Sequence, residues 1–291
     1  MYLLNWVALY CYVIHINELV ITIEQMIYTR VYFEERIVRQ SGSPAGRKTV
    51  ANIVDNLIEG VTLDLFEEDF KKGSGNELEA KFRAIYSSSA LAANNFSIIK
   101  KKPFSFRFLN KSGFEFSSFE RQFPTGLGGF PPNIDFVLEN SKDIVAFESK
   151  YLEHLTKKPV SFALSYNKNR LPFLSEFWFK LIENYSGKIL RLDVAQLIKH
   201  SIGLIRYNKF LKEKSKKITL VYIYWTPKNM ESYDVFQSHS DELIEFENVM
   251  NEQNDINFIR MTYQEFCKMY ENDKQLNEHY SKVKGRYDII I

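Results

Sequence analysis

Asp135, Glu148 and Lys150 carry the most chemistry in this sequence, and all three belong to one stretch, PPNIDFVLENSKDIVAFESKYLEHL, from Pro131 to Leu155. NIDFVLE mixes β-formers with one internal acid, Asp135, ENSKD has the composition of a turn, and IVAFESKY is an apolar run that admits charge at its end. Side chains alternate along a strand, so Glu148 and Lys150 share one face and Ser149 takes the other. If the first strand pairs beside the second, Asp135 reaches the same end. Two carboxylates converging there form an oxygen-rich site suited to a hard cation such as Mg²⁺ or Mn²⁺, and a lysine beside them completes a hydrolytic set. Such a cation lowers the pKa of a bound water, while the lysine steadies the resulting hydroxide and developing negative charge. The plainer reading is a Glu–Lys salt bridge on an ordinary edge strand, worth ~0–1 kcal/mol.

The rest of the chain must position these groups. Its 291 residues are 45% hydrophobic, enough for a real core, and the net charge of +2 leaves any polyanion preference to local clusters. Cys11 and Cys267 have neither zinc spacing nor a disulfide framework, which fits a reducing, cytoplasmic setting. The apolar opening is interrupted by His15, Asn17 and Glu18, short of the ~20 residues of a membrane helix. It reads as a strand or helix packed on the domain; a natural start at Met26 and a membrane anchor are the lesser readings, and no membrane partner is expected. Residues 1–40 are therefore an N-terminal appendage and 41–291 a single domain. Gly42, Lys48 and Thr49 nearly spell a phosphate-binding loop, but Arg47 stands where its second glycine is needed, so the loop reads as solvated. Val50, Ile53, Val54, Leu57 and Ile58 have helical spacing, with Gly60 placed to end that helix. A second helix is expected from an Asn76 N-cap through Leu78, Phe82 and Ile85, with Glu77 and Glu79 in its first turn, where carboxylates suit the helix dipole.

The order of these parts matters more than any one of them. An acidic helix GNELEAKF, then PNIDFVLE, a turn and VAFESKY resembles the PD-(D/E)XK nuclease superfamily, the restriction-endonuclease-like fold. Pro132 is followed by Asn133 and Ile134 before Asp135, a two-residue loosening of the name motif. The resemblance implies that Asp135 is the aspartate, Glu148 the second acid and Lys150 the lysine, with the Ser149 carbonyl a further metal ligand. Glu77 is similar to the helix acid that many members add as a metal or water ligand, and Glu79 is its alternate. The predicted helix Leu192–Tyr207 places Gln196 and His200 four apart on one side. Several branches carry a Gln there, sometimes with an aromatic one turn later, where this chain has His200. The resemblance spans Gly73 to Tyr207.

Two lysine clusters are candidates for a nucleic-acid backbone: Lys100, Lys101 and Lys102 after the second helix, and Lys214, Lys216 and Lys217 before the predicted strand Ile218–Trp225. The aromatic helix around Trp178, a helix over Asp241–Met250, a strand INFIRM and a helix TYQEFCKMYEN continue an α/β alternation, followed by a polar tail. The expectation is an α/β restriction-endonuclease-like core with a central mixed β-sheet flanked by helices. Its implied activity is Mg²⁺-dependent hydrolysis of phosphodiester bonds in DNA, in restriction, defence or repair, with a homodimer compatible. The alternative is a non-catalytic nucleic-acid-binding or assembly module of the same fold.

Overall fold

The structure, a computed structural model, describes residues 30–42, 46–73, 78, 81–211 and 215–291. Helix α1 (30–40) and helix α2 (Glu67–Lys72) precede helix α3 (Ser88–Lys101). The ribbon β1 (Arg107–Phe108) and β2 (Lys111–Ser112) then leads into β3 (Phe116–Gln122), β4 (Asn133–Glu139) and β5 (Asp143–Lys150). A second ribbon, β6 (Lys158–Pro159) with β7 (Ile189–Leu190), encloses helix α4 (Glu176–Tyr185). Helix α5 (Val194–Lys209), strand β8 (Lys217–Tyr224), helix α6 (Asp234–Met250), strand β9 (Asn257–Thr262) and helices α7 (Tyr263–Lys268) and α8 (Asn277–Tyr287) complete it.

Five strands form the central sheet in the order β3-β4-β5-β8-β9. The first two pairings are antiparallel and the last two parallel, so the sheet is mixed as expected. Strand β5 lies at its centre and is buried almost throughout, which is why IVAF needs apolar residues on both faces. The β4–β5 turn is set by Asn140, whose Oδ1 accepts from the Lys142 and Asp143 N–H groups at 2.8 and 2.7 Å.

Two apolar layers cover the sheet. One gathers α1, α3, α7 and α8 around a phenylalanine stack in which Phe96 lies flat on Phe136 at 4.9 Å, with Phe147 and Phe266 beside it. Phe33, Ile37 and Val38 belong to this layer, so the described part of the expected appendage packs into the core. The other layer joins α4, α5 and part of α6, with Trp178 fully buried and its Nε1 donating to Asp255 at 2.8 Å. At Gly203 in α5 an added Cβ would lie 2.2 Å from the Phe123 carbonyl oxygen, so only glycine allows the chain leaving β3 to cross the helix.

Three local expectations are corrected. No α-helix runs from Val50 to Ile58: a 3-10 turn Ile53–Asn56 stands there instead. Asn52 and Asp55 close that turn on each other, and Asn56 turns inward to donate to the Phe82 and Ala84 carbonyls at 2.7 Å. Such local side-chain bonds compete with a continuing helix. Phe82 and Ile85 likewise lie outside any helix, because the chain pairs at Ala84 with Thr49. The regular helix starts at Ser88, N-capped by Ser87, which accepts from the Ala90 N–H at 3.2 Å. The polar tail folds as α8, whose Tyr280, Val283 and Tyr287 enter the core. The loop near Lys48 is solvated as read, with that amine 3.0 Å from Glu34. Among the described residues, no helix is long and apolar enough to cross a membrane.

Candidate active site

The β4–β5 ladder ends at Phe136 opposite Phe147. One step further, where the next pair would be Asp135 and Glu148, the main chains stop pairing. The Asp135 carboxylate instead accepts from the Ser149 N–H at 2.6 Å. Past this point Glu148 and Lys150 project from one face, as the alternation requires, and the Lys150 amine donates to Glu148 Oε1 at 2.6 Å. Ser149 takes the other face, its hydroxyl 2.6 Å from that of Tyr263.

Helix α5 supplies the opposite wall. Its N-cap Asp193 accepts from the Gln196 N–H at 3.1 Å, which starts the helix so that Gln196 and His200 face β5. Lys150 donates to Gln196 Oε1 at 2.8 Å. His200, fully buried, brings Nε2 to 3.0 Å from Glu148 Oε2. Neither atom has a hydrogen bond of acceptable direction among the described residues, so the contact is electrostatic.

Burial works against every charge in this cluster. Burial first, then the charges of Glu148 and Glu120, raises the Asp135 pKa well above the usual carboxylate range, despite Lys150 and the Ser149 N–H. Burial would also raise Glu148, but Lys150 and His200 hold its carboxyl down at about 2. Lys150 would be depressed by burial, yet Glu148, Glu153 and Asp135 keep its pKa above the ordinary value. At neutral pH the cluster therefore presents an ammonium against the Glu148 carboxylate, with Asp135 the group whose charge is most penalised.

Two acids of this cluster escape a reading of the sequence. Glu120 lies opposite Asp135 on β3, in the left-handed region at φ 47°, and accepts from the Asn133 amide at 3.1 Å. Glu153 follows β5 and accepts from the Tyr151 and Leu152 N–H groups at 2.8 and 3.1 Å. The only sequence signal for either is an acid inside or just after an apolar strand.

The family model described as Restriction Endonuclease associating with ARP matches residues 22–288. The chain belongs to this family. No curated protein and no solved structure matches it. Membership in this restriction-endonuclease family agrees with the mixed five-stranded sheet flanked by helices and places the chain among nuclease-type proteins.

The donor set of this restriction-endonuclease relative suits a hard cation of low protein coordination. Asp135, the buried Glu148 Oε2 and the Ser149 carbonyl are oxygen donors, and Mg²⁺ commonly takes one or two carboxylates while keeping several waters. Among the described residues, no three His, Cys, Asp or Glu side chains stand close enough to hold a metal together. Glu77 and Glu79 lie outside the described residues, as does Lys214.

The described lysines lie elsewhere. Lys217 pairs in register with Asp143 at the start of β5, seven residues or ~23 Å from Lys150, because β8 runs parallel to β5. Lys216 is bound to Glu139 at 2.7 Å, in a network with Arg121 and Tyr207. Lys100 and Lys101 end α3 and Lys102 caps it; Lys100 lies over the Phe119 ring at 5.8 Å, on the β3 side of the sheet. Lys100 is also paired with Asp69. The direction of β8 thus carries Lys216 and Lys217 to the opposite end of β5, whereas the Asp69 carboxylate that pairs Lys100 also accepts from the Phe119 N–H at 2.8 Å, one residue from Glu120.

Proposed function

We propose that the chain is a metal-dependent deoxyribonuclease that hydrolyses phosphodiester bonds in DNA at the Asp135, Glu148 and Lys150 cluster. The observation that carries this reading is the Lys150 amine, fixed between Glu148 Oε1 at 2.6 Å and Gln196 Oε1 at 2.8 Å where β4 and β5 separate. An ammonium has three N–H donors, so two acceptors orient the third. That third donor is the one available to hold an attacking water or to meet charge on a phosphate oxygen.

Asp135, Glu148 and the Ser149 carbonyl would hold Mg²⁺ or Mn²⁺, with Glu77 a further ligand from the preceding segment. When bound, such a cation acidifies water and neutralises a phosphate oxygen. The chain's own residues do the rest. Gln196 keeps the Lys150 amine at one position, and His200 steadies the second oxygen of Glu148. Burial of Glu148, at 1% exposure, keeps bulk water from competing with these contacts. A bound cation would relieve the Asp135 charge that burial and the neighbouring Glu148 and Glu120 disfavour.

The test is cleavage of plasmid, linear and single-stranded DNA with and without Mg²⁺ or Mn²⁺, beside Glu148→Ala and Lys150→Ala. Cation-dependent cleavage by the parent and a loss of at least ~100-fold in either variant are expected. Cleavage that persists in both variants refutes the assignment.

A further inference from the structure

Phe130 and Leu164 are the two most exposed large apolar side chains among the described residues, at 102% and 96%. Isolated apolar residues on a surface are ordinary. These two stand on loops that meet through Tyr166 and Thr125. Phe130 sits on the loop between β3 and β4, whose base is closed by the Phe123 N–H donating to the Pro132 carbonyl at 3.4 Å. Asn133 then begins β4 and Asp135 follows, so five residues of chain keep Phe130 within ~17 Å of that carboxylate. Leu164 lies between Phe162 and Tyr166, whose rings carry the Lys199 amine at 5.7 and 5.9 Å. Lys199 is one helical turn from Gln196, which holds Lys150. Tyr166 is in side-chain contact with Thr125, so the two loops touch.

The loop carrying Phe130 has hinge and brace side by side. Gly129 has a φ of +100°, which side-chain-bearing residues avoid, while Pro131 and Pro132 stiffen the chain immediately after the ring. The ring is thus presented outward on a short rigid stem beside the candidate site. Any duplex whose backbone reaches Lys150 passes over this region, since a major groove alone is ~12 Å wide. We propose that Phe130, with Leu164 beside it, is a wedge that enters the base stack of duplex DNA next to the phosphodiester presented to Lys150. The inference rests on the nuclease reading above and adds what the protein does to its substrate. Apolar side chains inserted at a base step unstack it and kink the duplex, turning a phosphate outward without base-specific contacts. Lys199 is placed to meet the phosphates flanking the opened step.

The test uses Phe130→Trp, Phe130→Ala and a control, Phe104→Trp, at a 71% exposed position beside Gly113, which precedes β3 where the Phe130 loop follows it. Both positions are in solvent, so the fold is not at issue. Sonicated duplex DNA is titrated with Ca²⁺ in place of Mg²⁺, and indole emission and affinity are read. Stacking of the indole on bases should quench the Phe130→Trp emission and leave the Phe104→Trp emission unchanged. Phe130→Ala should bind about 5- to 100-fold more weakly, the range of one base–aromatic stack. Unchanged Phe130→Trp emission on a duplex that the parent binds, with parental affinity in Phe130→Ala, overturns the wedge and leaves the nuclease reading standing. Failure of the parent to bind duplex or single-stranded DNA overturns both.

Discussion

His154 and His239 form a buried pair whose acid response can be worked out in advance. Their rings lie 4.5 Å apart, His239 reaches the Tyr222 hydroxyl at 3.0 Å, and Tyr224 and Phe236 complete the enclosure. Both His154 nitrogens lack a hydrogen-bond partner among the described residues. Burial, with Arg191 and Lys150 nearby and Glu153 opposing, lowers the His154 pKa from 6.5 to about 3. The unfolded chain therefore takes up a proton near pH 6.5 that the folded chain refuses until about pH 3. Between those limits the unfolded state binds more protons, so stability falls as pH falls, by ~1.4 kcal/mol per unit and ~4–5 kcal/mol in all. That total is comparable with the whole stability of many domains. His154→Phe keeps a ring in the enclosure and removes the titrating group. Urea unfolding of parent and variant at pH 7.5, 6.5, 5.5 and 4.5 is the assay, since contributions of the carboxylates cancel in the difference. The variant should gain on the parent by ~2–3 kcal/mol between pH 7.5 and 4.5. A difference that does not change with pH refutes the reasoning.

Other outcomes follow from the same geometry. Gln196→Ala releases one of the two acceptors of the Lys150 amine, and a fall in kcat of ~10- to 100-fold with little change in KM is expected in steady-state cleavage assays. Gly203→Ala sets a methyl 2.2 Å from the Phe123 oxygen, and thermal unfolding should show a loss of at least ~2 kcal/mol as α5 and the end of β3 move apart. Glu139→Gln leaves Lys216 and Arg121 without their shared carboxylate, so chemical denaturation should register a loss of ~3–5 kcal/mol. Divalent-cation binding, measured by calorimetry, should be unaffected by that change, because the network lies at the far end of β4.

Strand patterning made the centre of the molecule legible. An internal acid in NIDFVLE marks Asp135, and charge at the end of IVAFESKY, read with period two, places Glu148 beside Lys150 and sends Ser149 to the other face. The 3.6-residue period likewise brings Gln196 and His200 to the same wall. Tertiary direction was not legible. The lysines before β8 read as candidates for a nucleic-acid backbone with no place in the fold, and only the parallel pairing shows that they stand at the opposite end of β5 from Lys150. Glu120 was hidden because nothing in FERQF announces a left-handed residue facing Asp135. The expected helix over 50–58 failed because apolar spacing says nothing of a buried Asn56 that claims two distant carbonyls.

The bond from the Ser149 N–H to the Asp135 carboxylate has a practical side. Where the main chains cease to pair, this side chain acts as a clasp, holding two strands together at the seam that forms the cleft. Choosing an inactive form of the protein is therefore not a neutral decision. An Ala at position 135 removes the clasp with the charge, so loss of activity would mix a missing ligand with a loosened seam. An Asn retains an acceptor for the Ser149 amide and removes only the charge. The Ser149 amide resonance would report which of the two has happened.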